Sequence, residues 1–503
     1  MVKKINNGEK YIWILAITAV IAAWYWSFSN NFVLTYNDAA SHLNIARRVI
    51  DNLTPGIAQI GTVWLPLPHL LILIFAWNDF LWHTALAGSI VSMTAYVITV
   101  VFTYKLILLL TENNKPAAIV GALILGLNPN FLYLSTTPMT EPVLIASFTL
   151  SAYFIAKYIK TKEMLNLILG GVFVMASTLT RYDGWFLFAC LTVLLLIWSW
   201  VTLGWKKAEG IVLLFISIGG FGILLWFLWN LTIFSDALYF ITGPYSAHAQ
   251  QKILRSVGQL PTEGNFFLSL GYYIWSVIAN NGFIISTLSF IGIITSYFII
   301  KSKQQIIVLL AVLSPFVFNV LALFLGQSAM NVPQAAKDPG LFNIRYGVLM
   351  LPAFALGLGL LASRKKLFLI VSLVFIIQSF LFFRQGIPVA LLDGLKGLEN
   401  TRYTIEASKW LKDNYQGGLI LTSLASHDAF VARAQLPVKL YIHEGTREYW
   451  QNALKKPSIS VKYIAAMSYP PDLVYRALKN KPDFINNYVL VHSYGTFGIY
   501  QRK

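Results

Sequence analysis

A single cysteine, Cys190, lies within an apolar run. One thiol cannot form a disulfide or a cysteine metal site inside the chain, so Cys190 reads as a small apolar packing residue. Charge is scarce too. Only 12% of the residues are charged, against roughly 25% in ordinary soluble domains, while 57% are hydrophobic and the mean hydropathy is +0.63. That excludes a soluble globular protein. Acidic residues are the scarcest charges, 21 against 38 Lys and Arg, for a formal charge of +17. In a soluble chain this excess would suggest nucleic acid. Here much of it falls in short loops between apolar runs, where the positive-inside rule puts it, and no nucleic-acid partner is expected. The 7 histidines are scattered, with neither His-x3-His nor His-Glu-x-x-His spacing. No phosphate-binding loop suggests nucleotide hydrolysis, and no internal repeat or low-complexity tract is visible.

Long apolar runs are what the chain does have. Several reach the roughly 20 residues needed to cross a bilayer core. The first, 11–28, follows Lys3, Lys4 and Lys10. No small-residue cleavage site follows it, so it reads as a retained first span. Spans are expected near 11–29, 80–104, 116–135, 142–160, 164–181, 185–203, 209–234, 272–300, 305–325, 346–362 and 367–384. The basic clusters between them are Lys105 with Lys115, Lys157 with Lys160 and Lys162, Lys206 with Lys207, Lys301 with Lys303, and Arg364 with Lys365 and Lys366. All fit one cytoplasmic side shared with the N-terminus, and eleven crossings then leave the C-terminus outside. The stretch "VWLPLPHLLILIFAW" (63–77) is apolar but short, and Pro66 and Pro68 break its start; it reads as a juxtamembrane or partly inserted helix on the external side. Beyond residue 384, helix-like "TIEASKWLKDNY" alternates with strand-like "GLILTS" and "NYVLVHS". The expected fold is a mainly α, polytopic transmembrane helical bundle (1–384) with external juxtamembrane helices and a small C-terminal α/β domain (385–503).

This topology places a particular set of residues on the external side. The segment "YNDAASHLNIARRVI" (36–50) follows span 1 and reads as an amphipathic helix starting near Asp38. Asp38 and His42 are i and i+4 and share a face; the plain alternative is a helix cap at Asp38 and an interfacial polar residue at His42. "STTPMTEP" carries Glu141 into span 4, "TLTRYDGW" carries Arg181 and Asp183 after span 5, and the loop after span 7 carries His248. "DPGLFNIRYG" carries Arg345 into span 10. Charges at membrane ends usually face a cavity or one another. Carboxylates with a cationic wall suit a substrate with a phosphate head and an apolar tail, because arginine holds phosphate oxygens bidentately.

The ordered set "YNDAASHLNIARRV", "WLPLPHLL", "TPMTEP", "TLTRYDGW" and "NIRYGVLMLPAFAL" resembles the GT-C superfamily of membrane glycosyltransferases, in particular family 39, which includes protein O-mannosyltransferases and the lipid A aminoarabinose transferase. The resemblance covers roughly residues 11–384. It implies a sugar donor linked to polyprenyl phosphate and an acceptor that is a protein, a lipid or an envelope glycan. It also implies that Asp38 is the general base, although many relatives have Asp-Glu where this chain has Asn37, Asp38 and Ala39. Arg181 resembles a basic residue at the end of span 5 in relatives; with Arg345 it is expected to hold the donor phosphate. One carboxylate suffices chemically, because lipid phosphate is already a good leaving group, whereas glycoside hydrolases generally need a second carboxyl.

Simpler roles stand beside these. Glu141 either positions the acceptor, joins Asp38 around a magnesium or manganese ion, or is a helix-start charge before Pro142. Asp183 either serves the site or pairs with Arg181. His69 and His248 contact phosphate or are interfacial polar residues, and Trp64 stacks on a sugar or anchors the interface. No cofactor is required apart from that optional ion. The expected location is an integral membrane protein among membrane lipids, in the plasma membrane if the source is prokaryotic. A transporter or flippase of lipid-linked sugars is the alternative function, and a non-catalytic scaffold displaying the C-terminal domain is a third.

Overall fold

The computed structural model describes residues 7–244, 246–256, 258–300, 305–335, 340–469 and 472–503. Lys3, Lys4, Lys301 and Lys303, used above to orient the chain, lie outside the described residues. The chain divides into two compact units. The first comprises Met1–Val33, Thr62–Pro68 and Ser89–Asp393, and the second Leu34–Gly61, His69–Gly88 and Gly394–Lys503.

The first unit is helical, and the chain is an integral membrane protein. Among the described residues, eight helices are long and apolar enough to cross a membrane, or nine if one bent pair counts as a span. Eleven were expected, and the differences have local causes. The 116–135 run breaks into Lys115–Gly126 and Pro129–Leu134. Asn128 starts the second piece, its Oδ1 accepting from the N–H groups of Asn130 and Phe131 at 3.0 Å each. Met164–Thr178 has 15 residues, about 23 Å of helix against a core of about 30 Å. The 80–104 run starts later than expected, at Leu86, because Ala85 breaks it in the left-handed region (φ 59°).

The largest departure is at 272–300, expected as one span. Phe266–Asn281 and Phe283–Ile299 meet at 108°. Gly282 sits between them at φ +85°, a conformation that glycine adopts without a Cβ penalty. In the stretch 63–77 only Leu67–Ala76 is helical, about 15 Å long and too short to span.

Burial separates inner from outer helices. All twelve residues of Leu351–Ala362 are buried, so apolar side chains all round that helix meet protein. In Lys365–Gln385 only Val371 and Gln378 are buried, and Leu369 and Phe383 are 75% and 83% exposed. An apolar helix this uncovered matches a lipid environment.

The second unit is built on a five-stranded sheet ordered β2-β1-β3-β5-β4, with β1 Leu419–Leu421, β2 Tyr441–Ile442, β3 Val461–Met467, β4 Tyr488–Tyr494 and β5 Phe497–Arg502. β1 runs parallel to β2 and β3, and β5 antiparallel to β3 and β4. Side chains alternate between two cores, as the period of two requires. Ile420, Tyr441, Tyr463 and Ala465 enter one, and Leu421, Ile442, Ile464 and Ala466 the other. The helix Tyr403–Asn414, read above from "TIEASKWLKDNY", covers the first core through Ala407 and Leu411.

The segment after the first span also belongs to this unit. Its helix, Asn37–Arg47, is buried along most of its length. Arg47, 8% exposed, ties its end down. Its Nε donates to Asp51 at 3.0 Å, its Nη1 to the carbonyls of Ala76 and Trp77 at 2.9 and 3.1 Å, and its Nη2 to Asp79. Asp51 in turn accepts from the backbone N–H groups of Val438 and Lys439. Removing one partner of a buried ion pair costs about 3–5 kcal/mol. Arg47→Met is therefore expected to lower stability by about that much, seen as a clear fall in the thermal midpoint of detergent-purified protein; an unchanged midpoint would contradict this account.

Candidate functional site

The expected site residues fall into two groups, one in each unit. In the first unit the centre is Glu141, the first residue of the helix Glu141–Thr161 and fully buried. Its Oε1 accepts from Arg345 Nε at 3.0 Å and from Arg181 Nη1 at 3.3 Å. Arg181 Nε donates to Asp183 Oδ2 at 3.2 Å, and its Nη1 also reaches Thr140 Oγ1 at 3.3 Å. Arg345 Nη1 lies 4.0 Å from Asp393 Oδ2. Both guanidiniums lie over the Tyr346 ring, 4.9 and 5.2 Å from its centre. The side chains of Glu141, Asp183, Asp393 and Arg345 are all at most 5% exposed, and that of Arg181 is 20% exposed.

The local sequence explains these positions. In "TLTRYDGW", Met164–Thr178 ends and Asp183–Leu203 begins within a few residues. The corner is tight: a Cβ on Gly184 would lie 2.2 Å from the Ser177 carbonyl group. Trp185 Nε1 donates to the Thr178 carbonyl at 2.9 Å, satisfying an acceptor that the first helix leaves open. Arg181 and Asp183 are thereby held on the outside of the turn. Arg345 sits on the 3-10 helix Ile344–Met350. The Ile344 carbonyl accepts from Ser276 Oγ at 2.7 Å and Asn280 Nδ2 at 2.6 Å, and the Gly347 carbonyl from Asn281 Nδ2 at 2.9 Å. The asparagines just before the Gly282 break therefore fix the backbone that carries Arg345.

Carboxylates and arginines do meet here, but the arginines are paired with the acids and carry one acid more than their charge balances. With every acid ionised it holds three carboxylates and two guanidiniums. Some hydrogen-bonding capacity is unmet among the described residues: Glu141 Oε2 and Asp183 Oδ1 are buried without a partner, and Arg181 Nη2 has no hydrogen bond. The group can therefore present a guanidinium edge to an anion and a carboxylate oxygen to a hydroxyl. It does not suit a divalent cation, since two guanidiniums already surround Glu141. Among the described residues, no cluster of three or more His, Cys, Asp or Glu side chains is arranged to hold a metal. His248 is exposed on the helix Ala247–Ser256 and makes no described contact with this group. Trp64 is half-buried in the Thr62–Pro68 segment.

In the second unit, Asp38 lies in the first turn of Asn37–Arg47. The cap position is Tyr36, so Asp38 is not the helix cap. His42 and His69 are both buried, and His42 Nδ1 meets His69 Nε2 at 2.9 Å. The helix packs on Leu424–Ala434 through Ala40 against Ala429 and Ala432, and Asn44 Nδ2 donates to the Asp428 carbonyl at 2.8 Å. Burial, together with the neighbouring Asp38, pushes the Asp428 carboxyl up to about 8. Burial brings the Arg48 and Arg433 guanidiniums down to about 10 and the His443 imidazole down to about 3, helped by the charge of Arg48. Burial also opposes the charge of Asp472, yet a hydrogen bond to His427 and two backbone N–H groups hold its carboxyl below the usual range.

Asp393 and Asp428 escaped the sequence reading. Each is an isolated acid in an ordinary-looking helix, "VALLDGLKGL" and "LASHDAFVARA", with no spacing that marks it. Their significance is a product of tertiary neighbours. The Glu141 network generates a stability prediction. Glu141→Ala leaves two buried arginines without their shared acceptor and is expected to cost about 3–5 kcal/mol. Glu141→Gln keeps one acceptor oxygen and should cost less. Equal thermal midpoints for wild type and Glu141→Ala would rule out the network as drawn.

No protein-family model matches the chain, and no curated protein matches it in sequence. Solved structures do. The crystal structure of ArnT from Cupriavidus metallidurans bound to undecaprenyl phosphate aligns over 97% of each chain with a TM-score of 0.59 and 12% identity. The apo crystal structure of the same protein aligns over 97% of each chain with a TM-score of 0.55 and 13% identity. ArnT is a lipid A aminoarabinose transferase of GT-C fold, and at this length of alignment the fold of the present chain is that of the GT-C membrane glycosyltransferases.

Proposed function

We propose that this protein is an inverting glycosyltransferase, moving a hexose or pentose from a polyprenyl-phosphate donor to an acceptor hydroxyl on a protein, a lipid or an envelope glycan. The observation that carries this reading is the end-to-end fold match to ArnT, whose crystal structure holds undecaprenyl phosphate. The family 39 resemblance, mannosyltransferases included, points the same way. Asp38 takes the proton from the acceptor hydroxyl as that oxygen attacks the anomeric carbon. The carbon–oxygen bond to phosphate breaks, and the electron pair leaves with the lipid phosphate. Arg181 and Arg345 stabilise the developing charge, where a well-placed donor is worth roughly 3–4 kcal/mol. Because both arginines are already paired, phosphate oxygens compete with carboxylates for them. The loosest pair, Arg345 with Asp393 at 4.0 Å, is the one expected to open.

The basic loop residues orient the protein with its N-terminus in the cytoplasm and Gly394–Lys503 outside the plasma membrane. Asp38 then works on the extracytoplasmic face, where nucleotide sugars are scarce and lipid-linked sugars are the available donors. His42, Trp64 and His69 serve acceptor binding or orientation; His248 has no supporting contact. A divalent ion shared by Asp38 and Glu141 is not part of this reading.

One observation favours the alternative of a lipid-linked-sugar flippase: the 108° break at Gly282, since transporters use broken helices. Paired repeats, the other mark of transporters, are missing from the sequence. Proteoliposomes supplied with radiolabelled polyprenyl-phosphate sugars separate the two. Wild type is expected to transfer sugar, and Asp38→Asn to lose about 10²–10⁴-fold in rate with donor binding retained. Equal rates would remove Asp38 from the chemistry. Lipid flipping without transfer by the wild type would favour the flippase.

A further inference from the structure

Two turns of the second unit are built alike. In "KPSI" (456–459) and "KPDFI" (481–485) a lysine precedes a proline, and an isoleucine follows. Each proline opens a short helical turn, Pro457–Ile459 and Pro482–Asn487, where its missing N–H costs nothing. Asp483 clips the two turns together. Its Oδ2 accepts from the Ser458 N–H at 3.0 Å, and its Oδ1 from Ser458 Oγ at 2.5 Å and Asn487 Nδ2 at 3.2 Å. Three basic side chains tie neighbouring segments to the pair. Lys481 Nζ donates to the Leu454 carbonyl at 2.6 Å, Arg502 Nη1 to the Ser458 carbonyl at 2.6 Å, and Lys503 Nζ to the Asn486 carbonyl at 2.8 Å.

The surface so formed has one character. Ile459 and Ile485 are 73% and 57% exposed. Lys455 and Lys456 precede the first turn, Lys479 and Lys481 the second, and Arg502 and Lys503 end the adjoining β5. On the hydrogen-bonded segments 454–459, 479–487 and 502–503, Asp483 is the only acidic side chain, and both its oxygens are already used. A single exposed isoleucine is ordinary. Two on linked turns, among six cations and no open carboxylate, have the make-up of an interfacial anchor: apolar side chains enter the acyl boundary while lysine and arginine meet anionic headgroups. Two such side chains bury far less than the roughly 800 Å² per partner of a stable protein interface. The spans already hold the chain in a bilayer, so a tethered lipid contact need only be weak.

We propose that this face docks on the surface of an anionic phospholipid bilayer. Ile459 and Ile485 insert below the headgroups, and Lys455, Lys456, Lys479, Lys481, Arg502 and Lys503 lie among the phosphates. The Asp483 clip keeps the two isoleucines on one rigid platform, so they enter together. The contact needs anionic lipid and weakens as salt screens the headgroup charge. It is independent of the transfer chemistry proposed above.

The test uses the full chain in nanodiscs of phosphatidylcholine, with or without phosphatidylglycerol. In a Cys190→Ser background, Ile459→Cys or Ile485→Cys carries a fluorophore whose emission shifts to the blue on leaving water. Tyr469→Cys is the control. Tyr469 is 55% exposed and follows the far end of β3, Val461–Met467, about 23 Å of strand from the first turn. With phosphatidylglycerol the labels at 459 and 485 are expected to shift to the blue and to be quenched by nitroxide-bearing lipid, while the label at 469 stays as in water. Lys455→Gln, Lys456→Gln and Lys479→Gln combined should lower the docked-to-free ratio roughly a hundredfold and leave the thermal midpoint unchanged; Lys481, Arg502 and Lys503 are kept because they hold backbone. Labels at 459 and 485 that stay in water with phosphatidylglycerol overturn the proposal, as does an equal shift at 469 or a response that the triple variant keeps. A shift that soluble polyphosphate produces in phosphatidylcholine alone also overturns it, in favour of a polyanion site.

Discussion

The membrane unit depends on one shared acceptor. Glu141 Oε1 receives hydrogen bonds from two arginines that lie 40 and 204 residues away in sequence. Neither arginine is tolerable alone in such a place, because an ion taken out of water costs several kcal/mol unless its partners are close and well aligned. A single carboxylate oxygen therefore obliges the Glu141 helix, the corner at Arg181 and the 3-10 turn at Arg345 to meet. The Gly282 break belongs to the same requirement. A straight helix would use the Asn280 and Asn281 carbonyls internally; the break leaves these asparagines to hold the backbone under Arg345, and the Asn280 carbonyl to accept from Asn128 and Asn130.

The second unit follows a similar logic with a different device. Here a kink rather than a shared acceptor sets the backbone. His427 is pinned by Tyr403 and Asp472, and the carbonyl of the residue that follows, Asp428, accepts from Asn44 on the helix carrying Asp38. The loop after the first span is therefore structural and chemical at once. Arg47 anchors it against Asp51 and Asp79, Ala40 and Asn44 dock it, and Asp38 is left on the edge of that packed face. Two adjacent arginines in the sequence thus divide their work: Arg47 clamps its neighbours, while Arg48 donates to the Gln59 carbonyl.

Much of this was legible in the sequence, for definite reasons. Apolar runs of span length and period-two strands such as "GLILTS" are local signals, and the helices and strands followed them. Asp38, Glu141, Arg181 and Arg345 stood out because charges are rare in this chain and these lie at the ends of spans. Where the reading missed, the cause was tertiary. The 272–300 run is apolar enough on average to read as one span, and the bend at Gly282 is set by hydrogen bonds that Asn280 and Asn281 make to distant carbonyls. Pairing of Arg181 with Asp183 was one of the readings the sequence allowed, but a sequence cannot show that Glu141 would sit against both arginines or that Asp393 would lie beside Arg345. Asp428 carries no spacing signal at all; its character comes from burial and from Asp38, which is almost four hundred residues earlier.

The unmet polar capacity bears on which part of the membrane unit evolved for function rather than stability. A buried polar atom without a partner costs about 1–3 kcal/mol, and native folds keep few of them. Two carboxylate oxygens in one network, Glu141 Oε2 and Asp183 Oδ1, are in that condition. Folding alone gives no reason to place three acids around two arginines when two would balance the charge. A polar ligand does give one. Under the proposed reading, a phosphate bearing a sugar would bring anionic oxygens for the open guanidinium edge of Arg181 and hydroxyls for the carboxylates, meeting both kinds of unsatisfied group together. An apolar lipid, or an ion of either sign, would meet at most one kind.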